Sequence, residues 1–295
     1  IYHCSVLPNA PMNVPEYREK YGIKLVKSPI MLVHSSIHNR GIQEFEYLAT
    51  ENNTCSLDEL KEIYLYSWAF LTLQSLGILE YVTTYFNRTH NLQFVEFYEK
   101  FLDYAKNNDS ILKDELKKVV KFRDDGYLGK GWDHHDPDLG DIIWPIEEAS
   151  WLRLTRNKEV LQDAIFNLLV FVNKECGLNE SEDLLKDLSY FQVFILTTRD
   201  YKDEIKSSKF KFDWKNFFTI DNSVLSKKKS AYSFRNPINE NDPVKWGYKT
   251  IWYGRRSRDY KCHPENLKTH DSEIERNSNS KDNKTFGSTH STMGI

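Results

Sequence analysis

Cysteine is scarce in this 295-residue chain. The four present, Cys4, Cys55, Cys176 and Cys262, form no C-x-x-C pair and have no histidines at zinc-finger spacing. Such scatter argues against a disulfide framework and points to reduced thiols in a cytosolic compartment. Long hydrophobic runs are missing too. The least charged stretch, Ile63 to Leu79, falls short of the ~20 apolar residues that cross a bilayer and contains Tyr64, Tyr66, Ser67, Thr72 and Gln74. No membrane association is expected. Neither sign of charge dominates: 40 Lys and Arg face 43 Asp and Glu, for a net charge of −3. Nothing in that balance pulls the chain toward nucleic acid. The sequence begins Ile1-Tyr2-His3-Cys4, without an initiator methionine or a secretory signal, and reads as a fragment or a truncated open reading frame.

Familiar catalytic signatures are absent as well. A phosphate-binding loop needs Gly-Lys followed by Ser or Thr, and here Gly129-Lys130 precedes Gly131. No H-E-x-x-H places two imidazoles on one helix face. Composition and pattern alone therefore name no reaction.

Aromatic residues are plentiful, at 14% of the chain. Each buries a large area, so a substantial core is expected. Residues 1–55 read as a short mixed α/β segment, with a helix opened by Pro15 and ended by Gly22, and strands over 24–33 and 43–50. Ser56-Leu57-Asp58-Glu59 is a capping box, after which a strongly apolar helix runs to about Leu76. Further helices are expected over about 78–90, 93–106, 110–125, 145–156, 158–176 and 181–199, with Gly126 and Gly177 as stops. Phe94, Phe97, Tyr98, Phe101 and Leu102 share one helix face and read as core. Beyond Lys202 the period changes. Phe210, Phe212 and Trp214, then Trp246, Tyr248, Thr250 and Trp252, alternate as strands do. The tail is rich in Ser, Asn, Lys and Asp and cannot offset its ordering entropy. The resulting division is 1–55, a helical domain over 56–202, a small β element over 203–258, and a disordered tail over 259–295. The fold class is mainly α.

The loop between Gly126 and Asp138 holds the densest chemistry. Trp132, Asp133, His134, His135 and Asp136 could face a substrate, with the indole as an apolar wall. Imidazoles and carboxylates suit a divalent metal, but adjacent histidines rarely aim at one ion. The plainer alternative is a polar loop whose side chains bond backbone groups. Glu147 and Glu148 point about 100° apart on a helix and read as acids favourable in a first turn. Arg255 and Arg256, behind Trp252 and Tyr253, are candidates to contact an anion, against the plain alternative of a solvated strand end. Arg interleaved with aromatics also occurs in single-strand binders, but the near-neutral charge argues against a nucleic-acid partner. Cys4 beside His3 lacks an orienting third group, and His34 and His38 show no partner in the sequence.

Three segments carry a family resemblance. They are Tyr2 to Met12, the run Gly131-Trp132-Asp133-His134-His135-Asp136-Pro137 with Asp141 to Ala149, and Ile251-Trp252-Tyr253-Gly254-Arg255-Arg256. Over residues 1 to about 258 the chain resembles the C-terminal region of radical SAM proteins with an upstream cobalamin-binding domain, of the P-methyltransferase-like type. The resemblance implies that residues 1–55 end a partial (β/α) barrel. It also implies that the full-length enzyme uses a [4Fe–4S] cluster, S-adenosylmethionine and cobalamin on a small-molecule substrate. The cluster loop of that family, C-x-x-x-C-x-x-C, does not occur here, so no cluster ligand carries over, no cofactor is expected in this piece alone and its catalytic residues stay unassigned. The expected role is a substrate-side or accessory portion, partnered by the upstream domains. The alternatives are a helical interaction module without an active site and a metal-dependent enzyme using residues 133–138.

Overall fold

A computed structural model of the chain describes residues 4–38, 41–132, 134–196, 205–235, 245 and 262–270. The fold over these residues is mainly helical, with three small antiparallel sheets. Among them, no helix is long and apolar enough to cross a membrane.

Helix α1, Pro15–Tyr21, begins on its proline and ends at Gly22, whose φ of 62° is the left-handed conformation a side chain resists. Strands β1, Lys24–Ile30, and β2, Glu44–Glu51, pair antiparallel. Residues 4–6 line the other side of β2, through Val6 N–H to the Tyr47 carbonyl at 2.7 Å and Ala49 N–H to the Cys4 carbonyl at 2.9 Å.

The helical body starts at Ser56. Its backbone N–H donates to Glu59 Oε2 at 2.7 Å and its hydroxyl accepts from Glu59 N–H, closing the expected capping box around α2, Leu57–Ala69. The helix then widens into a π turn, Phe70–Ser75, and Gly77, at φ 86°, ends it. The freed carbonyls find partners far along the chain. Leu76 O accepts Trp151 Nε1–H at 3.0 Å, and Gly77 O accepts Gln192 Nε2–H at 2.8 Å. Helix α3, Glu80–His90, has no local cap. Gln192 supplies one from 111 residues away, its Oε1 accepting the N–H of Tyr81 at 2.9 Å and of Val82 at 3.3 Å.

Helix α4, Phe94–Asn107, buries Phe97, Tyr98, Phe101 and Leu102 of the stripe read from the sequence, while Phe94, at its first position, is half-buried. Helix α5, Ile111–Tyr127, runs through Gly126 rather than stopping at it. The glycine is there for space: a Cβ would lie 2.5 Å from two carbons of the Trp132 indole. That indole is itself wedged against Tyr64, Phe122 and Tyr127 and cannot yield. Gly126→Ala is therefore expected to destabilise the protein by about 1–3 kcal/mol, despite alanine's better helix propensity. Urea denaturation checks the sign.

Helices α6, Ile146–Leu154, α7, Lys158–Glu175, and α8, Glu182–Ile195, complete the body. Strand β5, Ile205–Phe210, pairs with β6, Ser230–Arg235, and β6 with β7, Lys268–His270. The aromatic alternation from Phe210 does not continue as strand. β5 ends at Phe210, and Asp213 caps a short helix α9, Trp214–Thr219. The physical reason is Asp187 on α8: its carboxylate accepts Lys211 N–H at 3.1 Å and Trp214 Nε1–H at 2.8 Å, which turns the chain inward. A 3-10 turn at Pro264–Asn266 leads into β7 with Leu267 buried, an ordered stretch that the polar composition of 259–295 does not signal. The alternation at Trp246, Tyr248, Thr250 and Trp252 and the tail from Asp271 lie outside the described residues. One hydrophobic cluster runs from β2 through the helical body into the C-terminal sheet, from Leu48 to Leu267.

Candidate functional site

A small layer of extended backbone forms where residues 34–37 meet the loop after α5. Strand β3, His134–His135, pairs antiparallel with β4, Ile143–Trp144. On the other side of β4, His34 N–H donates to Ile143 O at 2.7 Å and Ile143 N–H to Ser35 O at 3.0 Å, with Ser36 bridging Ile142. His34 reaches this register with φ at 62°, an uncommon conformation for a residue other than glycine.

Period-two geometry sends the side chains of His134 and His135 to opposite faces. His134 turns into the body. Its Nε2 accepts a hydrogen bond from Arg153 at 2.7 Å, and Asp136 Oδ2 accepts from the same guanidinium nitrogen at 3.1 Å. Arg153 also grips Glu115 with two nitrogens, Nε to Oε2 at 2.8 Å and a terminal nitrogen to Oε1 at 2.5 Å. Behind Glu115 the chain of bonds continues through the Ser150 hydroxyl, at 2.7 Å, to Trp68 Nε1–H, at 2.9 Å. The Glu115 and Arg153 side chains are 3% and 9% exposed, so this is a buried ion pair whose remaining atoms are also bonded.

These neighbours set the charges. Burial first, and then the Arg153 charge, pull the His134 imidazole down to about 4, so it is neutral near pH 7. Burial works to raise Asp136, but the Asp138 N–H and Arg153 outweigh it and hold the carboxyl below its usual range. Burial works to lower Arg153, and Glu115 and Asp136 more than offset it. The consequence for stability has a definite sign. Between pH 6.5 and 4 the unfolded chain binds a proton at His134 that the folded chain does not. Its contribution is full above pH 6.5 and is lost as pH falls toward 4. A His134→Gln variant is expected to show a flatter fall in melting temperature across that window than the parent.

His135 faces the other way. It lines a cavity of about 650 Å³ together with Ile30, Leu32, Ser35, Ile37, Gln43 and Ile143. Its Nε2 forms no hydrogen bond among the described residues, and Asp141 Oδ1 stands 4.0 Å off. Trp132 lies within the aromatic core, 9% exposed, with ring centroids 5.3–5.6 Å from Phe122, Tyr127 and Tyr64. Among the four described residues of the five singled out in the sequence, His135 alone lines that cavity. Trp132, His134 and Asp136 are held by the body, and Asp133, like Arg255 and Arg256, lies outside the described residues.

Sequence reading passed over one pair entirely. His34 Nε2 lies 2.7 Å from Glu148 Oε2, and the Glu148 side chain is fully buried while that of His34 is 11% exposed. Trp144 meets the same imidazole edge to face at 5.6 Å. The pair ties the wall of the cavity to the first turn of α6. No spacing announces it, because 114 residues separate the partners. His38 bonds Asp141 Oδ2 at 3.1 Å on the exposed rim.

Among the described residues the cysteines do not gather as the ligands of an iron–sulfur cluster would. Cys4 is exposed, Cys55 and Cys176 are half-buried, and Cys262 is buried with its thiol pushed up to about 12 by that burial. Among the described residues, no group of three or more His, Cys, Asp or Glu side chains could hold a metal ion.

No family model matches the chain. Two curated proteins do. One is the cobalamin-dependent radical SAM methyltransferase TokK of Streptomyces tokunonensis, 23% identical over 234 residues, which cover 74% of this chain and 34% of that protein. The other is the 2-(S-pantetheinyl)-carbapenam-3-carboxylate methyltransferase of Streptantibioticus cattleyicolor, 21% identical over 236 residues with the same two coverages. The chain thus spans about a third of the length of the curated relatives it matches.

Proposed function

We propose that this chain is the substrate-side or accessory portion of a cobalamin-dependent radical SAM enzyme of the methyltransferase type. The observation that carries the reading is the similarity to TokK, which extends over 74% of the chain. No cluster ligand is assigned to this chain, and on this reading the ligands come from elsewhere in the full-length protein. On this reading residues 1–55 are the last edge of the α/β barrel, 56–202 the helical domain, and 203–258 the small β element, which β7 completes from the segment that follows. The [4Fe–4S] cluster, S-adenosylmethionine and cobalamin belong to the full-length cytoplasmic enzyme, whose upstream domains are this chain's partners.

This portion's own contribution is to hold a wall of the substrate space. His135 offers an imidazole to a small-molecule substrate from a cavity of mixed lining, in which Ser35, Gln43 and Glu44 stand beside isoleucines and Leu32. The Arg153–Glu115 network fixes the strand that presents it, and the His34–Glu148 pair fixes the facing segment. Positioning of this kind acts through rigid supports, so small displacements matter.

The test uses the full-length protein, purified anaerobically and reconstituted with iron and sulfide. Cleavage of S-adenosylmethionine to 5′-deoxyadenosine, with methyl transfer that needs added cobalamin, is the expected result. A full reading frame without a three-cysteine loop, or a reconstituted protein inert toward S-adenosylmethionine, overturns the reading.

A further inference from the structure

A second cavity lies on the side of the body formed by α3, α8 and α9 and shares no lining residue with the His135 cavity. Its volume is about 860 Å³, within the range of small-molecule sites. The floor is apolar: Tyr85, Phe212 and Phe217 are all buried in the wall beneath it. Tyr85 is held rigid from below. Its hydroxyl donates to Glu180 Oε1 at 2.5 Å, an oxygen that also lies 2.7 Å from His90 Nε2.

The rim is cationic. Arg88 and Lys227 both line the cavity, and neither forms an ion pair among the described residues. Arg88 is preorganised, because one terminal nitrogen donates to the Phe217 carbonyl at 2.9 Å and the guanidinium lies 5.9 Å over the Phe217 ring. Its remaining donors are available to an incoming acceptor. Lys228 and Lys229 continue the positive run beside Lys227, and Asp221 is the single acid among the lining residues.

The third wall is a strap of irregular chain from Asp221 to Lys227. Asn222, at φ 57°, turns it away from the end of α9, and the Ser223 hydroxyl ties it there through the Asn216 and Phe217 carbonyls at 3.1 and 3.0 Å. The backbone N–H groups of Val224, Leu225 and Lys227 donate to nothing among the described residues. A buried aromatic floor, a guanidinium with donors to spare, a lysine and residues whose amides are unbonded line one concavity. A phosphate is recognised by such a set of donors, and an apolar body is recognised by such a floor.

We propose that this cavity binds an organic phosphomonoester, with the phosphate between Arg88 and Lys227 and the carbon skeleton on the rings of Tyr85, Phe212 and Phe217. The binding is non-covalent and separate from the reaction of the first site. Isothermal titration of the full chain with phenyl phosphate tests it, with inorganic phosphate as the comparison. Phenyl phosphate is expected to bind at least about 10-fold more tightly than inorganic phosphate, and Arg88→Gln and Lys227→Gln each to weaken it by about 10-fold or more, the loss of one charge-assisted contact. Lys227 is exposed, so its substitution leaves the fold intact. Absence of binding, binding that survives both substitutions, or equal affinity for the two probes overturns the proposal.

Discussion

Replacing Arg153 with methionine is expected to lower the unfolding free energy by about 3–5 kcal/mol, one of the two largest losses a single substitution should cause here. The reason is what remains. Glu115, only 3% exposed, would be left among the described residues with the Ser150 hydroxyl as its hydrogen-bond donor, and His134 and Asp136 would lose the group that anchors them. Guanidinium denaturation measures the change. The double variant Arg153→Met, Glu115→Leu should recover a large part of the loss, because replacing a whole buried pair by apolar groups is close to neutral. A single-variant cost below about 1 kcal/mol, the worth of a surface pair, would show that the network is solvated.

The second large effect is expected at Trp214. Its ring is fully buried among Tyr85, Phe191 and Phe218, and it joins the C-terminal sheet to α8. Trp214→Ala should cost about 3–5 kcal/mol through the lost contacts and the cavity left behind. Trp214→Phe separates two contributions. It keeps much of the packing and removes the Nε1–H bond to Asp187, a carboxyl that burial already holds above its usual range. That variant should cost about 1.5–3 kcal/mol, the range for a hydrogen bond to a charged group. Equal losses for Ala and Phe would show that the hydrogen bond carries the whole effect.

What the sequence disclosed follows from range. The capping box at Ser56 spans three residues and the aromatic stripe on α4 two turns, so both show in the local pattern. Gly126 was legible as special but not why: it makes room for Trp132, a contact that helix periodicity cannot carry. The pairs that shape the first site lie beyond local pattern altogether. Glu148 looks like an ordinary first-turn acid until His34 arrives from 114 residues away. Arg153 and Glu115 sit on different helices, 38 residues apart. The loop from Trp132 to Asp136 drew attention for its composition, and the strand period inside it decides which imidazole faces the cavity.

The remote capping of α3 bears on how the protein comes off the ribosome. Helices form in microseconds, whereas synthesis adds about 5–20 residues per second. Gln192 therefore follows Tyr81 into solution by about 6 to 22 s. Throughout that interval the first amides of α3 and the carbonyl of Gly77 are served by water, and the aromatic faces of α3 and α4 have no α8 to lean on. Until residue 192 clears the exit tunnel, those aromatic faces are open to any apolar surface they meet. Ribosomes that stall before that codon would release a sticky, half-assembled helical bundle.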